Sequence, residues 1–186
     1  MTTFFIYQFI KLIMKTNIKI ILFSVCSILL IFTSCTKEPG CMDPNSMTYN
    51  SEAKKDDGSC IYAYDIAQGI WNITPNCDDI TIPIVNITIS LNDQLPESIE
   101  VQGGGDNQLF IDIDGTQVSG DIDKDGNITV ENQTVSLDLG LGVPIPVNIE
   151  GDGKIELDDT GQMNLTYSFD FQGFPLSSSC SITLSK

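Results

Sequence analysis

Carboxylates are the main chemical resource of this chain. Asp121, Asp123 and Asp125 alternate along DIDKDGNITVEN (121–132) and are followed by Gly126 and Ile128. Oxygen ligands at the first, third and fifth loop positions with glycine at the sixth are how a calcium loop is built, because Ca2+ takes about 6 to 8 hard oxygens. The bidentate acid of such a loop belongs at its last position, where this chain has Asn132, with Glu131 one place early. The plain alternative is a hairpin turn at Lys124-Asp125-Gly126-Asn127 carrying surface charge. Asp43, Asn45, Asn50, Asp56 and Asp57 form a second oxygen-rich set between Cys41 and Cys60, which reads either as a weak Ca2+ loop or as a solvated spacer. Ca2+ is thus the one cofactor the residues suggest. Acid pairs such as Asp78-Asp79 and Asp158-Asp159 are the raw material of a carboxylate-based hydrolase, which needs two carboxyls at a fixed separation. With 25 acids in 186 residues, some close pair arises by chance.

Missing residue types narrow the chemistry. The chain has no His and no Arg. Without His it lacks the commonest general base, the Ser-His and Cys-His nucleophile pairs and most zinc sites. Without Arg it lacks the planar clamp for phosphate or carboxylate. A non-enzymatic protein is therefore the leading expectation. Lys11, Lys15 and Lys19 precede Cys35, which leaves six Lys against all 25 acids and a charge of −19 for the remainder. Nucleic acid is excluded as a partner, because binding it depends on clustered cations.

The N-terminal stretch gives an address. From a start at Met14, Lys15 and Lys19 lead into Ile20–Phe32, 13 residues that are apolar apart from Ser24 and Ser27. That is the layout of a signal peptide over residues 1–34, and it is short for a membrane-spanning helix of about 20 residues. The segment Ile31-Phe32-Thr33-Ser34-Cys35 resembles the lipobox of bacterial lipoproteins. The resemblance implies a lipid on Cys35, a tether over 35–40, and a protein anchored to the outer membrane or cell surface of a Gram-negative bacterium. Cysteine parity agrees, since Cys41, Cys60, Cys77 and Cys180 form an even set without Cys35.

Residues 41–62 contain the turn formers Asp-Pro, Tyr-Asn and Asp-Asp-Gly-Ser. A Cys41–Cys60 bridge would close 20 residues and stabilise the fold by about 3 kcal/mol in the chain-entropy picture. The segment resembles an Asp-rich GC-DP-NY-DDGSC motif of secreted and cell-surface proteins of Gram-negative bacteria, which implies export.

Residues 63–186 must build whatever site exists. From Gly69 onward apolar and polar residues alternate with period two and no stretch shows helical spacing, so the expected class is all-β. Met163, Leu165, Tyr167, Phe169 and Phe171 share one face, and Trp71 with these aromatics reads as core. Gly103-Gly104-Gly105, Asp114-Gly115, Asp125-Gly126, Gly151-Asp152-Gly153 and Thr160-Gly161 read as hairpin turns. A parity change between Ile84 and Val85 predicts one bulged strand over Ile80–Leu91. The count is eight to ten antiparallel strands, forming a small barrel or an open sandwich. Inward parity of Cys77 and Cys180 favours their pairing, which requires the first and last strands to meet.

Gly69-Ile70-Trp71 at the head of the first strand, with a meander and a terminal Cys-x-Ile-Thr-Leu strand, resembles the lipocalin-like domains of bacterial surface lipoproteins. The resemblance implies a barrel that carries a small apolar ligand, with an interior lined by residues such as Ile111, Val147, Leu165 and Phe169. It also implies an Arg from a late strand against Trp71. This chain has none, which keeps the open sandwich as the alternative. The expected function is a lipid-anchored envelope protein with a β-sheet binding or structural domain. The apolar-ligand carrier and the carboxylate-based hydrolase are the alternatives.

Overall fold

A computed structural model describes residues 38–82, 86–113, 115–138 and 142–186. The expected signal peptide, the expected start at Met14 and Cys35, the expected lipidation site, lie outside the described residues. Pro39–Lys186 form one compact unit, which takes in the cysteine-closed segment as well as the sheet.

The chain passes through a short helix α1 (Ala63–Ala67) into β1 (Gly69–Cys77), then β2 (Ile80–Ile82), β3 (Ile87–Ile89) and a 3-10 turn at Leu91–Asp93. Seven strands follow: β4 (Ser98–Gly105), β5 (Gln108–Ile113), β6 (Thr116–Ile122), β7 (Asn127–Leu137), β8 (Ile145–Ile155), β9 (Thr160–Phe171) and β10 (Phe174–Ser185). Eight of the ten close an antiparallel barrel in the order β1-β10-β9-β8-β7-β6-β5-β4. β1 closes it by pairing twice: Gly69–Asn72 lie against β4, and Asn72–Cys77 lie against β10. The open sandwich is thereby replaced by the closed barrel, in which no main strand is left as a free edge. Cys77 and Cys180 are cross-strand partners in this closure and are bridged, and Cys41 is bridged to Cys60.

Alternation of side chains explains the core. Along β9, Met163, Leu165, Tyr167, Phe169 and Phe171 turn inward while Gln162, Asn164, Thr166 and Asp170 are exposed. Tight reversals fall where the backbone must adopt positive φ, at Asp106-Asn107, Asp159 and Gln172-Gly173.

Four sequence expectations are corrected. The parity change after Ile84 marks a chain reversal: β2 and β3 pair as their own hairpin, Ile80 opposite Ile89, with Ile80, Ile82 and Ile89 buried. Gly103-Gly104-Gly105 ends β4 with a register shift, and the turn lies one step later. Side chains are excluded there, since a Cβ on Gly103 would sit 2.2 Å from the Tyr64 hydroxyl and one on Gly104 2.0 Å from the Phe110 ring. Gly151-Asp152-Gly153 runs inside β8, pressed so close to β9 that a Cβ on Gly151 would lie 2.1 Å from the Asn164 carbonyl oxygen. Thr160-Gly161 opens β9 after a turn at Asp158-Asp159. Helix α1 precedes Gly69, where the strand pattern begins.

Candidate functional site

One end of the barrel is sealed around Trp71. Its indole is fully buried, and Nε1 donates to the Ala67 carbonyl at 2.7 Å, tying α1 across the start of β1. The Lys186 ammonium lies 4.8 Å from the centre of the indole ring and donates to the carbonyls of Ile66 and Gln68. A cation over an aromatic face is attracted by its quadrupole. Lys186, just after the last strand, thus places a positive charge on the indole in a chain that has no Arg. Tyr64 of α1 reaches β4, accepting the Gly105 N–H at 2.8 Å.

The wall has one weak seam. β6 and β7 share only two rungs, Asp121 opposite Thr129 and Ile122 opposite Ile128. Beyond them the Gln133 side chain does the work of a strand. Its Nε2 donates to the Ser119 carbonyl at 2.7 Å and its Oε1 accepts the Ser119 N–H at 3.0 Å. Thr116 Oγ1 adds a bond to the Ser136 carbonyl at 2.9 Å.

Inside this wall lies a cavity of about 110 Å3. Val101, Ile111, Val118, Met163, Leu165 and Leu184 are among the side chains that line it, and its walls carry no charged group. Val101, Ile111, Met163 and Leu165 point inward yet are only half-buried, as expected of an interior that side chains do not fill. Pro96, on the segment entering β4, is the exposed member of the lining and marks the side nearest solvent. Of the four residues expected to line the interior, Ile111 and Leu165 do so, whereas Val147 and Phe169 are buried away from the cavity.

Three polar side chains border the cavity, and two are already engaged. Trp71 donates to Ala67, and the Ser119 hydroxyl is 3.3 Å from Gln133 Oε1. Tyr167 is the third. It is 5 % exposed, and no described residue gives its hydroxyl a hydrogen bond. Burial pushes its phenol up to about 12, so it stays a neutral O–H donor.

Comparison with protein-family models, curated proteins and solved structures finds no match. The site must therefore be read from its own geometry.

The oxygen-rich sets predicted from sequence are turn builders here. Asp123 Oδ1 accepts the N–H groups of Asp125 and Asn127, both at 2.9 Å, and Oδ2 accepts the Asn127 side-chain amide at 2.7 Å. Burial acts to raise its pKa, but the bonds from Asn127 and Asp125 outweigh it and hold the carboxyl below the ordinary value. Asp125 pairs with Lys124 at 2.8 Å, and Asp121 sits in the β6 ladder. In the cysteine-closed segment, Asp43 accepts the Asn45 N–H and the Tyr62 hydroxyl, and both bonds lower its pKa. Asn50 accepts from Glu52, Asp56 from Gly58, and Asp57 from Ser59. Among the described residues no group of three or more acidic or cysteine side chains converges to hold a metal. The segment is also packed against the barrel, with Met47 against the core and its Cε reaching the Gly126 turn.

The acid pairs of the sequence are bonded locally. Asp158 accepts the Thr160 hydroxyl, and Asp78 accepts that of Ser179. Asp78, Glu131, Glu150 and Asp152 border a shallow polar depression on the outer face, where Asn132 donates to Glu150 at 2.9 Å.

Proposed function

We propose that this is a non-enzymatic, lipid-anchored protein of the bacterial cell envelope, held on the outer membrane or cell surface through Cys35, whose barrel binds a small apolar ligand. The single observation that supports the binding role is the uncharged cavity inside the closed barrel. Ligand sites are concave and mostly apolar with few polar groups, and this cavity of about 110 Å3 is of the same order as the roughly 150 Å3 that holds benzene. The lipobox-like segment supports the address, and two acyl chains are enough for stable membrane attachment.

Thermal unfolding of the full-length protein with saturating benzene tests the binding role. A ligand that binds only the folded form raises the melting temperature. The rise should disappear in Leu165→Phe, whose larger ring fills the space. An unchanged melting temperature in the parent protein would refute the reading. Anchoring is tested separately, by mass spectrometry of residue 35 and by release of Cys35→Ser from the membrane fraction.

A further inference from the structure

We infer that the cavity selects a compact, uncharged ligand carrying one oxygen acceptor, such as a cyclic ketone of about benzene size, and that the Tyr167 hydroxyl donates to that oxygen. The inference rests on the small-ligand reading above and specifies its chemical class.

Three observations carry it. The cavity of about 110 Å3 is too small for a long acyl chain and, being smaller than the roughly 150 Å3 that holds benzene, limits the ligand to one compact ring at most. No cation lines it, and an ionised carboxylate transferred to such surroundings would be strongly disfavoured. Tyr167 is the one bordering polar side chain whose hydrogen-bonding group no described residue uses, because Trp71 and Ser119 are committed to Ala67 and Gln133. A ligand oxygen that meets this hydroxyl gains a hydrogen bond that a hydrocarbon of the same shape cannot make. Cross-strand neighbours fix the ring: Tyr167 is opposite Ile149 on β8 and Ser178 on β10.

The test uses cyclohexanone and methylcyclohexane, which have nearly the same shape and differ in the oxygen. Affinities are measured by calorimetry or NMR titration on the full-length protein and on Tyr167→Phe, which keeps the ring and loses the hydroxyl. Comparing the ratio of the two affinities between proteins cancels the ligands' own desolvation. The expected result is that Tyr167→Phe lowers the preference for cyclohexanone about three- to tenfold and leaves methylcyclohexane binding in place. Retained methylcyclohexane binding also shows that the variant folds. In the parent protein, cyclohexanone should shift the Tyr167 ring resonances more than methylcyclohexane does, a readout independent of the variant.

If both probes bind and the ratio is the same in the two proteins, the hydroxyl has no part in selection, as when a tightly held water satisfies it. The inference is then overturned while the cavity reading stands. If neither probe binds the parent protein, both are overturned.

Discussion

Replacing Gln133 with alanine opens the barrel where its backbone ladder is weakest. β6 and β7 have two rungs of their own, and past them the Ser119 N–H and C=O depend on the Gln133 amide. Each neutral hydrogen bond contributes about 1 kcal/mol net, and a backbone group left without a partner costs more when water cannot reach it. Ser119 and Gln133 are half-buried, so water relieves part of that cost, and the variant should lose about 2 kcal/mol. With a urea slope of about 2 kcal/mol per molar, the unfolding midpoint should fall by about 1 M. Amide hydrogen exchange gives a local readout: the Ser119 N–H should exchange much faster, while the N–H groups of the long β9–β10 ladder keep their protection relative to global unfolding. A midpoint shift below about 0.2 M, together with an unchanged Ser119 exchange rate, would show that the seam closes without this side chain.

Other perturbations test separate parts of the structure. Gly151→Ala places a Cβ against the backbone of β9 and should lower stability by more than about 2 kcal/mol in the same urea assay. Lys186→Ala removes the cation over Trp71 and the donor to Ile66 and Gln68, and should cost about 1 kcal/mol with greater proteolysis near α1. The Asp43 carboxyl has a folded pKa below its unfolded value, so its contribution is present above about 3.9 and is lost as pH falls through the folded pKa. The stability gap between the parent and Asp43→Ala should therefore narrow between about pH 5 and pH 2 in a series of urea titrations. Removing the Cys77–Cys180 bridge with a double alanine variant should cost about 4 to 5 kcal/mol, since it spans 103 residues, against about 3 for Cys41–Cys60.

The barrel was legible in the sequence because its strands bury one face only, so period-two alternation survives over most of their length. Pairing of Cys77 with Cys180 was legible for the same reason, as both thiols share the inward parity of their strands. Glycine was the misleading residue. Gly151 and Gly153 resemble turn formers locally, but they serve as side-chain-free points where β8 and β9 approach closely. Only the partner strand reveals which use applies. The cavity was not legible, since it depends on how completely several strands fill a shared interior. Tyr167 and Phe169 have the same parity in the sequence, yet one borders the cavity and the other is packed. Lys186 was not legible because its place over the indole depends on where the chain end meets β1 and α1, which local pattern does not carry.

Side-chain amides and carboxylates substitute for backbone throughout this protein, and that explains how so acidic a chain folds around an apolar interior. Gln133 extends the β6–β7 ladder, and Asn92 does the same at the far end of β1, accepting the Cys77 N–H at 2.8 Å and donating to its carbonyl at 3.1 Å. At the reversals, Asp112 accepts the Gly115 N–H, Asp123 those of Asp125 and Asn127, and Asp170 that of Gly173. Each such acid fixes a turn through a bond to a nearby N–H, which is why Asp is frequent at turns. Spacing made those acids resemble ligands, and their bonding shows that they also hold turns. Of the polar side chains that line the cavity, Trp71 and Ser119 are bonded within the protein, and no described residue bonds the Tyr167 hydroxyl.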